Sequence, residues 1–182
     1  RIAVSYTRLS GAVCVSSKLK RFIRDGGKVN LLFGDDFNIS QSEALRLLQG
    51  LGVNLRLFVG DGQVNYHPKM WIFEGKRRQA SLTGSSNLSN AALTTSVEAN
   101  ILLESSGDVI RQQISYFDYL WENYSYKEID EEWIDHYVDV ERSLAADVRY
   151  KTNGSVNHVA SYKQISNFIE GWMRHIVIGK KR

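Results

Sequence analysis

Between Ile2 and Val59, three short apolar runs alternate with two amphipathic stretches, and that alternation leaves the chain few folds. Residues 2–6, 28–33 and 53–59 read as strands. Residues 11–24 read as a helix, with Val15, Leu19, Phe22 and Ile23 on one face and Asp25-Gly26-Gly27 stopping it. A second helix runs through Glu43 to Gln49 with Ser40 as its cap, since Glu43 follows Ser40 at capping-box spacing, and Gly50 and Gly52 end it. Strand–helix–strand–helix–strand implies right-handed crossovers. The expected class is α/β, with a largely parallel central sheet flanked by helices.

Downstream, residues 69–73 and 80–83 read as two strands joined by a polar turn, 74–79, and residues 99–103 as another strand. Residues 108–121 present Ile110, Ile114, Phe117 and Trp121 at helical spacing. Beyond Asn123 the texture changes. An acidic stretch, 128–135, leads into an interval around Trp133 and Tyr137 with helical character, and a polar stretch, 150–158, precedes a helix over 161–176. Its apolar face carries Ile165, Phe168, Ile169, Trp172, Met173 and Ile176. The expected organisation is a core, 1–125, and a C-terminal helical extension, 126–182, that packs on the core, on a partner subunit or on a following domain.

Cys14 is the only cysteine, so no intrachain disulfide can form, which fits a cytoplasmic location. No apolar run approaches the roughly eighteen residues a membrane helix needs, and no signal-peptide pattern is present, although the chain begins at Arg1 rather than methionine. The net charge of +3 permits an anionic partner without demanding one. Basic residues cluster at Lys18, Lys20, Arg21 and Arg24, at Lys76, Arg77 and Arg78, and at Lys180, Lys181 and Arg182. Each cluster reads as solvated surface or as a set of backbone contacts to nucleic acid. No internal repeat, Cys-rich metal pattern or glycine-rich dinucleotide loop occurs, so neither a metal nor a cofactor is expected.

Chemistry concentrates in two segments. Tyr66-His67-Pro68-Lys69 enters a strand, and the two-residue period of extended chain puts His67 and Lys69 on one side. Gly84-Ser85-Ser86-Asn87-Leu88 follows the next strand, and Glu98 stands shortly before the last one. An unprotonated imidazole is a competent nucleophile. A lysine beside it supplies fixed positive charge to phosphoryl oxygens. An asparagine amide and the backbone of a Gly-Ser turn add donors, and a glutamate can hold the histidine tautomer. Taken singly, a histidine before proline is an ordinary strand-edge residue and Gly-Ser-Ser-Asn a plain turn.

Together, His67-Pro68-Lys69 and Gly84-Ser85-Ser86-Asn87 resemble the signature of the phospholipase D superfamily, in which His-any-Lys is followed by an acidic residue and then Gly-Ser-any-Asn. The acidic position is held by Glu74 in place of the usual aspartate, and the interval to Gly84 is longer than usual. Glu74 therefore reads either as catalytic or as the start of the hairpin turn. The segment Ser96-Val97-Glu98-Ala99-Asn100 resembles the branch containing bacterial restriction endonucleases, as do Tyr6-Thr7-Arg8-Leu9-Ser10 and Leu32-Phe33-Gly34-Asp35-Asp36. The resemblance covers residues 2–122. It implies His67, Lys69, Asn87 and Glu98 as catalytic and Gly84, Ser85 and Ser86 as phosphate-binding, with no metal.

Members of that superfamily need two facing motifs, one histidine attacking phosphorus and the other protonating the leaving oxygen. This chain carries one: His136, His158 and His175 lack the accompanying lysine. The resemblance thus implies a homodimer with one shared site. A restriction-type member would cut double-stranded DNA, with Lys76, Arg77 and Arg78 touching the backbone, a separate recognition domain beyond Arg182 and an ATP-dependent partner as a further option. A phospholipase, and a non-catalytic DNA-binding or assembly module of the same fold, stand as alternatives.

Overall fold

The computed structural model describes residues 1–35, 39–60, 65–75, 78–104, 107–126 and 129–138. Two compact units divide the chain, Arg1–Asp139 and Val140–Arg182. The second lies outside the described residues, together with the helix expected over 161–176, His158 and His175.

In chain order the elements are β1 (Ile2–Val4), α1 (Leu9–Arg24), β2 (Asn30–Phe33), α2 (Ser42–Gly50), β3 (Asn54–Phe58), β4 (Lys69–Glu74), β5 (Gln79–Gly84), a π-helical turn (Ala91–Thr95), β6 (Asn100–Glu104), α3 (Asp108–Asn123) and β7 (Ser125–Tyr126). Residues 131–138 are helical as well. The strands form one seven-stranded sheet in the order β6-β5-β4-β1-β2-β3-β7.

Period-two alternation loads both faces of this sheet with apolar side chains. Ile2, Val4, Leu31, Phe33 and Leu55 pack on one face with Ala12 of α1 and with Ala44, Leu45 and Leu48 of α2. Ala3, Leu32, Met70 and Ile72 pack on the other against Ile110, Phe117, Leu120 and Trp121 of α3. Ile129, Ile134 and Tyr137 are buried in the first cluster, within the unit Arg1–Asp139.

The sheet is not largely parallel. β1–β2 and β2–β3 pair parallel, whereas β1–β4, β3–β7, β4–β5 and β5–β6 pair antiparallel. Parallel neighbours need a crossover helix, and the chain uses α1 and α2 for that purpose. β4 instead adds to the free side of β1, and the tight turn after it reverses the chain into β5.

Ser40 does not cap α2. Gln41 takes the N-cap position, with no side-chain hydrogen bond. The fully buried Ser40 hydroxyl accepts from the Thr7 N–H at 3.1 Å and donates to the Gly34 carbonyl at 2.8 Å. It therefore ties the exits of β1 and β2 together. A buried hydroxyl must find partners, and here these backbone groups outrank a solvent-side cap.

Candidate active site

The site grows from one pairing. Val4 at the end of β1 stands opposite Lys69 at the start of β4, which sets Ser5 beside the lysine side chain. The ammonium Nζ donates to the Ser5 Oγ at 2.5 Å, to the His67 carbonyl at 3.0 Å and makes a 2.8 Å contact with His67 Nδ1. Three N–H groups thus meet three acceptors. Lys69 is only 7% exposed, whereas the His67 ring is open to solvent.

The second motif is brought in by the loop after β5. Leu88, fully buried, bridges to Thr7, and its carbonyl accepts from the Arg8 N–H at 2.8 Å. A Cβ on Gly11 would stand 2.4 Å from that carbonyl, so the first turn of α1 approaches the loop closely because Gly11 is bare. Asn87 is buried, and its Oδ1 accepts the Ser5 N–H at 3.1 Å. With Oδ1 engaged there, the Nδ2 group is the one left to donate to an anion. A Cβ on Gly84 would lie 2.1 Å from the Ala99 carbonyl, so only glycine lets the chain leading into β6 cross here.

Glu98 does not contact His67 within its own chain. Its carboxylate accepts a hydrogen bond from the Ser85 hydroxyl, and the Ser85 oxygen accepts the Ala99 N–H at 2.9 Å. Glu98 acts on Lys69 through space: burial pushes the ammonium down to about 8, and the Glu98 charge partly opposes that fall. Ser86 is turned inward, its hydroxyl accepting from Asn100 Nδ2 at 2.8 Å and donating to the Ala92 carbonyl at 3.4 Å. The Ser85 N–H is engaged by the Ala99 carbonyl at 3.1 Å. Neither group is therefore offered to a phosphate in this arrangement.

Two expected participants lie elsewhere. Glu74 is at the opposite end of β4 from Lys69, ~17 Å away at strand rise. There it pairs with the Arg1 guanidinium, which also binds Asp118 at 2.8 and 3.1 Å. Arg78, exposed, sits at that same far end in the β4–β5 turn, and Lys76 and Arg77 lie outside the described residues. Any DNA contact made by Arg78 is remote from the imidazole. His136 is exposed, on the helical stretch 131–138.

The arrangement, an exposed imidazole bordered by a buried cation and an oriented amide, suits an oxyanion that has to be attacked. The sequence profile described as Cardiolipin synthase, PLD-like domain matches residues 1–121. The chain belongs to the phospholipase D-like family. Its chemistry is accordingly of the phosphodiesterase type. Two solved structures share the fold. Nuc from Salmonella typhimurium, described as a phospholipase D family member, is 18% identical, with a TM-score of 0.54 over 70% of this chain and 81% of that one. NucT from Helicobacter pylori is 20% identical, with a TM-score of 0.53 over 68% of this chain and 78% of that one. No curated protein matches the chain significantly. Among the described residues, no group of His, Cys, Asp and Glu side chains could hold a metal ion, and no helix is long and apolar enough to cross a membrane.

Ser5 is the residue that sequence reasoning missed in this phospholipase D-like domain. It carries no motif, and its place beside Lys69 follows only from the β1–β4 register. Its hydroxyl stabilises the charged form of Lys69, so Ser5→Ala should lower the lysine pKa below its present value of about 8. The contribution of the ammonium to turnover should be fully present below its pKa and be lost as pH climbs through about 8. In Ser5→Ala the decline should begin at lower pH, and kcat should drop roughly ten- to a hundred-fold, as for loss of a hydrogen bond to a charged group. Ser5→Thr should restore both. A pH–rate profile of Ser5→Ala that superimposes on wild type would refute this role.

Proposed function

We propose that this phospholipase D-like domain is the nuclease part of a restriction system, hydrolysing DNA phosphodiester bonds without a metal at a site completed by a second copy of the chain. The observation that carries the reading is the Lys69 ammonium. It touches the His67 ring nitrogen and is locked by Ser5, which also orients Asn87.

Donation from Lys69 makes Nδ1 an acceptor, which places the proton of a neutral imidazole on Nε2. Attack through Nε2 needs the opposite tautomer. An incoming phosphate supplies the change by drawing the ammonium off Nδ1 onto its own oxygens, freeing Nδ1 to hold the proton. Nε2 then attacks phosphorus in line, the P–N bond forms, and the bond to the leaving oxygen breaks. His67 of the partner subunit, protonated, gives its proton to that oxygen. Water next attacks the phosphohistidine while the now neutral partner imidazole takes the water proton, and the P–N bond breaks. Lys69 and Asn87 balance the phosphoryl charge throughout.

The family's own description favours a second substrate, a phospholipid diester. The two are separated directly. The full chain, purified in EDTA, should nick supercoiled plasmid DNA and leave cardiolipin and phosphatidylglycerol vesicles intact. Headgroup release from vesicles with untouched plasmid would overturn the DNA reading, and nicking that stops in EDTA would overturn its metal independence.

A further inference from the structure

The directions of the elements decide which positive charges can meet substrate. β1, β2 and β3 run towards the end of the sheet where Lys69 begins β4, so α1 and α2 start at that end and lead away from it. Lys28 and the basic residues in the second half of α1 therefore lie towards the far end, with Arg1 and Arg78. Arg46 is held by Glu131 and Asp135, Arg56 by the Trp121 ring and carbonyl, and Arg111 by Asp108. Among the described residues, Arg8 is then the one lysine or arginine besides Lys69 that stands at the site end without a carboxylate partner. An exposed arginine is by itself ordinary surface. What sets Arg8 apart is its backbone. Its N–H donates to the Leu88 carbonyl at 2.8 Å, one residue from Asn87, and Thr7 before it is fully buried and bridges to Leu88. On either side of Arg8, the Thr7 carbonyl accepts the Gln41 N–H at 2.9 Å and the Leu9 N–H donates to the Gln41 side chain at 2.8 Å. A solvent-facing guanidinium thus rises from a fixed stem, and the first turn of α1 carries no acidic side chain to neutralise it.

We infer that Arg8 binds the phosphate next to the scissile one on the strand being cut. The inference rests on the DNA reading above and names a contact that separates a polynucleotide from an isolated diester. Ser5, whose hydroxyl meets Lys69 and whose N–H meets Asn87, stands three residues before Arg8, and Arg8 itself has extended backbone. At strand rise this carries the Arg8 Cα about 10 Å beyond Ser5. Successive phosphates of one strand rise about 3.4 Å along a duplex axis. A long side chain rooted at that distance reaches past the phosphate held by Lys69 and Asn87 to its neighbour. Lys69 cannot serve both, since its N–H groups already meet Ser5 and His67 and its one charge faces the scissile phosphoryl group. The planar guanidinium grips two phosphate oxygens at once, which fixes direction as well as distance. Such a contact reads no base. It holds the strand in register, so that one phosphorus is presented to the imidazole.

Two substrates test the inference on the full chain: plasmid DNA, in which every scissile phosphate has neighbours, and bis(nitrophenyl) phosphate, which has a single phosphate. Arg8→Ala should lower kcat/KM for plasmid nicking roughly ten- to a hundred-fold, as for loss of a hydrogen bond between charged groups. Its loss on bis(nitrophenyl) phosphate should be several-fold smaller. The salt dependence of the plasmid KM should flatten by about one ionic contact, a change that a merely structural role would not produce. Arg8→Lys should restore that salt dependence but only part of kcat/KM, because the ammonium lacks the bidentate geometry. Should Arg8→Ala fold poorly, Arg8→Gln removes the charge while keeping most of the stem, and the same losses are expected. Equal losses on the two substrates would overturn the inference and reduce Arg8 to a support for the loop that carries Asn87. A plasmid rate and salt dependence like those of wild type would also overturn it, and the nuclease reading would stand. Wild type that hydrolyses bis(nitrophenyl) phosphate but leaves plasmid intact would overturn the DNA reading and this inference with it.

Discussion

Replacing His67 with alanine is expected to cut phosphodiester hydrolysis by about 10⁴-fold or more, the scale seen when a nucleophile that works as part of a catalytic unit is removed. In a symmetric site one substitution deletes both the nucleophile and the acid. The fold should survive, because the ring is exposed and the His67 carbonyl still accepts from Lys69. DNA affinity should largely persist as well, since Lys69 and Asn87 remain to meet the phosphate. The covalent step gives a second readout. Quenching wild type at alkaline pH during turnover of a diester carrying radiolabelled phosphate should leave acid-labile label on His67, and the variant should carry none. Near wild-type cleavage by His67→Ala, in a preparation free of contaminating nuclease, would end the mechanism. Tight DNA binding by wild type with neither turnover nor trapped label would instead identify a non-catalytic binding module.

Mixing subunits should produce the second large effect. With His67→Ala chains in large excess and exchange complete, almost every wild-type chain is paired with a variant that lacks one of the two imidazole roles. Activity per wild-type chain should then collapse towards that of the variant. A site complete within each chain predicts a constant value however much variant is added. Exchange has to be shown independently, by energy transfer between differently labelled chains, because a dimer that never exchanges would imitate the second result. Full activity in a purified mixed dimer sinks the shared site.

Much of this was legible because it is local. Three apolar runs with two amphipathic stretches placed β1 to β3 and α1 and α2 to within a few residues, and helical spacing placed α3. The two-residue strand period put His67 and Lys69 on one side before any coordinates, and the 2.8 Å contact agrees. The Gly84 loop was visible as a turn, although its need for glycine comes from the Ala99 carbonyl crossing above it.

What the chain alone determined, then, is element type, side-chain alternation and the presence of one His-any-Lys motif, all set by neighbours a few residues apart. Tertiary structure decided the rest. Pairing of β1 with β4 joins residues more than sixty positions apart, and nothing local encodes which free edge β4 takes or in which direction. That single choice recruits Ser5, buries Lys69 and turns a strand of the expected parallel sheet antiparallel. It also carries the β4–β5 turn, with Glu74 and Arg78, away from the imidazole. Ser40 and Glu98 tell the same story on a smaller scale. Each has a plausible local role, as helix cap or as histidine partner. Within the single chain, Ser40 bonds to the Thr7 and Gly34 backbone and Glu98 to the Ser85 hydroxyl. Polar atoms bond to whatever the packed chain sets within about 3 Å, and only the packed chain specifies what that is.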